Sequence, residues 1–284
     1  MNQEQKGYTP PEEVAKFDPF GVRKRKLEEE AASLEAQAPP KAKETQAIFE
    51  RADIQEAQEL MGEDFYGPEE IQKAFGVELR EEEIPPQPFS RQELEHFREE
   101  GCFLTLRIDH DQDDNPLTIK QLKTLYGVDS DYPETRIFYD QDWYGEPENL
   151  DPFFGKQTPE VQWALVKKEI LKDSTNKNYQ AQEGLLDQYR QGQQPHLEGD
   201  HQIQRREAVD IAYDLILAFR ARSQKLLPNQ WDWSKTKLTQ GADAGHLAGL
   251  GRFDADGFNV FADQPSVVDG FLGVCPSVVS QVET

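Results

Sequence analysis

A chain of 284 residues is long enough for one or two cores, at roughly 100–200 residues per domain. Its net charge of −23 is uneven: residues 1–50 hold 10 acids and 8 bases, 51–150 hold 26 and 9, and 151–284 hold 18 and 14, giving blocks of −2, −17 and −4. Nucleic acids and anionic membranes both require Lys and Arg to displace their counterions, so the acidic middle argues against both as partners. It reads instead as a solvated face, with a cation site or a basic protein partner as the minority reading. The two cysteines, Cys102 and Cys275, lie in the apolar runs CFLTL and FLGVC and read as buried small hydrophobes, not as a disulfide framework. With no apolar leader and no 18-residue apolar run, the cytoplasm is the expected compartment.

Residues 1–48, rich in Pro, Glu, Lys, Gln and Ala, bury too little to offset ordering entropy and are expected to be a disordered leader. From 49 to 84 the spacing of Ile54, Ala57, Leu60 and Met61, a stop at Gly62 and a restart at Pro68 predict a hairpin of short helices. After the stiff linker Ile84-Pro85-Pro86-Gln87-Pro88, Ser90 with Glu93 three residues later forms a capping box for a helix ending at Gly101. Cys102 to Ile108 reads as a strand.

The stretch Asp109-His110-Asp111-Gln112-Asp113 invites comparison with a calcium loop, since acids fall at positions 1, 3 and 5. Position 6 is Asp114 where glycine is needed, and position 12 is Lys120 where a bidentate Glu is needed, so a solvated loop before the helix LTIKQLKTLYG is the better account. Arg136 to Tyr144 is rich in β-formers. Asp140 and Asp142, two apart, would share one strand face, and with Asp109 and Asp111 they could hold a divalent metal such as calcium. Thr158-Pro159-Glu160 predicts a helix through Trp163–Glu169, and a second helix follows over TNKNYQAQEGLLDQYRQG. Gly192 to Asp200 reads as a loop. Glu207 to Leu227 is an amphipathic helix whose stripe is Ala208, Ile211, Ala212, Leu215, Ile216, Phe219 and Leu226.

The tail from about 229 to 284 changes character, with glycines at 241, 245, 249, 251, 257, 270 and 273 and phenylalanines between them. Short β-runs and the hairpin signal Asp256-Gly257 predict about four strands packed on the preceding helix and on Trp231 and Trp233. Phe253, Phe258 and Phe271 are expected in the core. His246, Arg252, Asp254, Asp256, Asn259, Phe261, Asp263 and Asp269 are the candidate binding residues, because loops carrying carboxylates and amides amid aromatics offer hydrogen bonding plus stacking on a rigid scaffold.

LLPNQWDWSKT, GHLAGLGRFDADGFNV and FLGVCPSV resemble the closing segments of an uncharacterised bacterial family common in candidate-phylum genomes. FYDQDWY, WALVKKE and DSTNKNY extend the likeness over roughly residues 50–279. That ending is similar to the last strands of C-type-lectin-like, formylglycine-enzyme-like folds, including the target proteins of diversity-generating retroelements. Here Gly273-Val274-Cys275 stands where those tails often read Gly-Phe-Arg. With the residue patterns above, the resemblance gives an α+β fold: the leader over 1–48 and helical hairpin over 49–84 read from composition and spacing, then a domain over 89–284. That domain has a helical and mixed α/β middle and ends in a small antiparallel β module of C-type-lectin-like type. It also implies a protein- or ligand-binding module without a cofactor, possible retroelement diversification included. The alternative is a metal-dependent enzyme using Asp109, Asp111, Asp140 and Asp142. An oxidase of the formylglycine type would need reactive paired cysteines in an open cleft, which Cys102 and Cys275 do not suggest.

Overall fold

The structure is a computed structural model that describes residues 52–127, 136–139 and 152–280; the leader expected over 1–48 lies outside them. Local signals start and stop the first elements. Asp53 accepts the Glu56 amide at 2.7 Å to cap α1 (Ile54–Met61), and Pro68 opens α2 (Pro68–Phe75). The capping box expected at Ser90 forms on α3 (Arg91–Glu99), with Ser90 N donating to Glu93 at 2.8 Å and Glu93 N to Ser90 Oγ at 3.2 Å. Glu93 also accepts from His201 at 2.7 Å, a tie across 108 residues of chain.

Two mixed sheets make up the β structure. The first holds β1 (Phe65–Tyr66), β2 (Cys102–Arg107), β3 (Gln162–Lys167), β9 (Pro276–Ser280) and β4 (His201–Arg205), in that spatial order. The second runs β7 (Gly257–Asp263), β6 (Leu247–Asp254), β5 (Trp231–Lys237), β8 (Leu272–Gly273). The remaining helices are α4 (Ile119–Tyr126), α5 (Pro152–Gly155), α6 (Tyr179–Gln193) and α7 (Ala208–Arg222). The fold is α+β with a four-stranded sheet in its tail.

The tail sheet departs from the expected antiparallel module in two ways. β5 pairs with β8 in parallel, and the last strand, β9, leaves the tail to lie antiparallel between β3 and β4 of the first sheet. The helix expected over Trp163–Glu169 is instead the central strand β3. Trp163, Ala164, Leu165 and Val166 are all buried, with ladder partners on both sides, and a short apolar run has no period to separate strand from helix. Strand β4 directly follows the expected loop over 192–200, where the sequence analysis placed no strand.

Helix α7 lies between the sheets, touching β2 of one and β5 and β6 of the other. It is buried almost all round and not along a single stripe: Val209, Tyr213 and Leu217 are as hidden as Ile211 and Leu215. Each such aliphatic side chain contributes about 1.5–3 kcal/mol by leaving water. Ala57, Met61, Ile71, Ala74 and Phe75 of α1 and α2 belong to the same core, and residues 49–284 cluster as one compact unit. Among the described residues no helix is long and apolar enough to cross a membrane.

A chain of buried charges runs through this core. Arg107 donates to both oxygens of Asp214, at 3.1 and 2.7 Å, and lies 3.2 Å from Asp210. Arg206 bridges Asp214, at 2.8 Å, and Asp232, at 2.9 Å. The Cys275 amide donates to the other oxygen of Asp232 at 2.8 Å, fastening the turn before β9. Three carboxylates therefore share two guanidinium groups. Burial pushes the Asp210 and Asp232 carboxyls above the usual range, while Arg107 and Arg206 respectively pull them back.

The loop compared with a calcium site is closed by its own hydrogen bonds. Asp111 Oδ1 accepts from Asp113 N and Asn115 N, each at 2.9 Å, and Oδ2 accepts from Gln121 Nε2 at 2.6 Å. Burial works against the Asp111 carboxylate, yet these bonds outweigh it and hold the carboxyl below the usual range. Asp111→Ala should cost about 2–3 kcal/mol at pH 7 by loss of charge-assisted bonds. A depressed folded pKa gives stability that is present above the unfolded value of about 3.9 and lost as pH falls through the folded one. The gap between the two proteins in urea melts should thus persist to pH 5 and close only below about pH 4. A gap that closes above pH 5 would refute this role.

Candidate functional site

Strand alternation divides the tail sheet into two faces. On the inner face Asp232 of β5 meets Arg206, Ala248 and Leu250 of β6 join the main core, and so do Phe258 and Val260 of β7. On the outer face Trp233, Leu247 and Leu272 form a second, smaller apolar cluster, joined by Tyr179, Trp231, Phe261 and Val267. The sheet therefore has apolar content on both sides, and the outer side is covered only in part.

Glycines set the outer surface. A Cβ on Gly249 would lie 2.4 Å from the Phe261 ring, so the ring occupies the place a side chain would take. At Gly251 the backbone turns to φ +145°, and Arg252 follows at φ +50°, where the β6–β7 register slips. The kink carries the Arg252 guanidinium to 5.6 Å from the Trp231 ring. Trp231 meets Phe261 at a centroid distance of 5.3 Å and an interplanar angle of 67°, and Phe271 at 6.3 Å and 85°. The Trp231 Nε1 atom is shielded from solvent and has no acceptor among the described residues.

Trp231, Phe261, Asp263, Asp269 and Leu272 enclose a cavity of 130 Å³. Asp269 is fixed, its Oδ1 accepting from Phe271 N at 2.6 Å and Leu272 N at 3.1 Å. Asp263 has no such support among the described residues. Burial pushes its carboxyl above the usual range, His246 pulls it back, and Asp269 and Asp243 add to the rise. Beside the cavity, Val268 and Phe271 are 59 % and 58 % exposed, the most exposed large apolar side chains among those described.

Phe271 thus stands in solvent and not in the core, while its neighbour Leu272 packs with Trp233 and Leu247; Phe253 and Phe258 are buried as expected. Of the candidate binding residues, Phe261, Asp263 and Asp269 come together at the cavity, and Arg252 lies on Trp231 next to it. His246 sits near Asp263 and 3.3 Å from Asp243. Asn259 shares the outer face, opposite Gly251. Asp254 and Asp256 lie apart at the hairpin tip, where Asp254 Oδ1 accepts the Asp256 amide at 2.9 Å. Trp231, Val268, Phe271 and Leu272 were not among the candidates, although the Trp231/Trp233 alternation carried the signal for the first of them.

The metal candidates do not assemble among the described residues. Asp109 pairs with His110 at 2.7 Å and Asp111 is engaged by its loop. Asp140 and Asp142 lie outside the described residues, beyond Ile137, whose carbonyl accepts from Phe258 N of β7 at 2.8 Å, and Tyr139, whose amide donates to Phe258 O at 3.0 Å. No three His, Cys, Asp or Glu side chains converge to hold a metal among the described residues. Cys102 and Cys275 are both buried and unpaired; burial pushes the Cys102 thiol up to about 12, and that of Cys275 upward as well. Such thiols are poor nucleophiles.

A larger cleft of 860 Å³ opens between α2 and the end of α7. Its cations are already engaged, Lys168 with Asp64 at 2.6 Å, Arg222 with Glu70 at 2.9 Å and Lys73 with the Ala221 carbonyl, so the tail face is the better candidate. No protein-family model, curated protein or solved structure matches this chain.

Proposed function

We propose that the protein is a binding module that recognises a protein or small-molecule ligand through the outer face of the tail sheet. The observation that carries this reading is the pairing of exposed Phe271 and Val268 with an aromatic- and carboxylate-walled cavity on a glycine-shaped sheet. A half-covered apolar face with a few polar groups converging on it is what recognition surfaces share. The resemblance of the tail to lectin-like recognition proteins, retroelement-diversified ones among them, supports the same assignment. Two buried, unpaired cysteines favour the cytoplasm as its compartment.

A peptide-display selection on the immobilised protein tests it, with counter-selection on the doubly substituted Val268→Ser/Phe271→Ser protein. Selected peptides should bind the wild type at least about tenfold more tightly than the double variant, the loss expected from removing a buried aromatic anchor. A selection that enriches nothing, or peptides indifferent to the substitutions, would overturn the assignment.

A further inference from the structure

We infer that the cavity bounded by Trp231, Phe261, Leu272, Asp263 and Asp269 takes a small organic cation, an alkylammonium group such as the end of a lysine side chain. This rests on the tail face being the recognition surface and names the chemistry that it selects.

The wall chemistry is that of a cation site. Aromatic faces carry negative potential, and Trp is the strongest of them. Trp231 and Phe261 meet at 67° and form one corner, Phe271 stands at 85° to Trp231 outside it, and Leu272 closes the apolar side. Opposite them are two carboxylates. The buried carboxylates elsewhere are all engaged: Asp210, Asp214 and Asp232 each face a guanidinium, and Asp111 is held by amides. Asp263 is partly desolvated, yet among the described residues no Lys or Arg forms an ion pair with it, and its neighbours Asp243 and Asp269 are of like charge. A cation is the partner that this arrangement lacks. An anion would meet two carboxylates, and a neutral group would leave the Asp263 charge uncompensated in a partly dry place.

The 130 Å³ cavity accommodates an ammonium and its last methylenes. Arg252 on the Trp231 ring and His246 near Asp263 oppose a further cation, but His246 faces Asp243 and Asp263 and Arg252 faces Asp254. Arg252 is drawn toward Asp254, at 3.8 Å, at the hairpin end of the strands. The ammonium can belong to a free amine or to a partner's lysine. The second source would also offer a carbonyl to the unpartnered Trp231 Nε1.

Trp fluorescence and proton NMR titrations of the full chain test this with four probes: n-butylammonium, the neutral n-pentanol, the anionic valerate, and N-acetyl-lysine methylamide. The same titrations are run on Asp263→Asn and Phe261→Leu, with thermal melts as a folding control. Butylammonium should bind about tenfold more tightly than pentanol, and valerate should not bind. Asp263→Asn should erase the preference for the cation while leaving pentanol unchanged, and Phe261→Leu should weaken both. Tighter binding of the lysine amide than of butylammonium assigns the site to a basic protein partner, and the reverse to a small amine. Equal binding of pentanol and butylammonium, or a preference that survives Asp263→Asn, overturns the cation inference. If no probe binds while display still yields peptides that need Val268 and Phe271, the inference fails alone; if display fails too, the recognition face fails with it.

Discussion

Arg206→Met should destabilise the protein by about 3–5 kcal/mol at pH 7.5, because it strands buried carboxylates and does not merely remove a contact. Arg206 is the cation that Asp214 and Asp232 share, at 2.8 and 2.9 Å. Without it Arg107 is left with Asp210 and Asp214, and Asp232 loses its ion pair and keeps only the weaker pull of Arg205. Arg206→Lys should recover little, since a single ammonium cannot span two acids as the guanidinium fork does.

The deficit of the Met variant should narrow on acidification, and the sign follows from burial. Burial already pushes the Asp232 carboxyl up, and loss of its principal opposing cation raises it further. An acid whose folded pKa lies above its unfolded value binds more protons when folded, so its contribution to stability grows as pH falls through the folded pKa. Urea melts followed by tryptophan fluorescence at pH 7.5 and 5.5 check both statements. A cost below about 1 kcal/mol, or a gap that widens at pH 5.5, would show that the charges are not arranged as described.

Gly251→Ala should be nearly as costly, and local. A Cβ there would lie 2.3 Å from the Gln230 carbonyl oxygen and 2.9 Å from Trp231 Cα, on a backbone at φ +145°. Backbone strain and overpacking together should cost about 3 kcal/mol or more. Gly251 pairs with Trp231 on one side and Asn259 on the other, so relief of the clash must separate β5 from β6 and displace Trp231 and Arg252. Amide exchange should accelerate across residues 231–235 ahead of residues 102–107, and selected peptides should lose affinity. Gly184→Ala is the control: it lies in α6 with nothing within 4 Å of the new Cβ and should be neutral or stabilising by up to about 1 kcal/mol. A Gly251→Ala protein melting with the wild type would refute the close approach.

What is settled within one or two turns of chain was legible from neighbouring residues. Ser90 and Glu93 close their capping box from neighbouring positions, Pro68 and Gly76 bound α2, and the Asp256-Gly257 turn joins β6 to β7. The calcium comparison failed on the residues at two positions, and the structure then showed Asp111 engaged by amides two to four residues away. Tertiary structure alone decided where pairing is distant. Trp163–Val166 became a strand because β2 and β9 supply ladders on both sides, and β9 is drawn out of the tail by β3 and β4. Arg107 and Asp214 meet across 107 residues, so no local pattern announces their pair. Phe271 and Leu272 are adjacent and similarly apolar, yet Leu272 on β8 packs against Trp233 while Phe271, just before the strand, stays in water. Composition marked the tail as a place for aromatics and carboxylates. Which of them face one cavity depends on register, because a strand shifted by one residue exchanges its two faces.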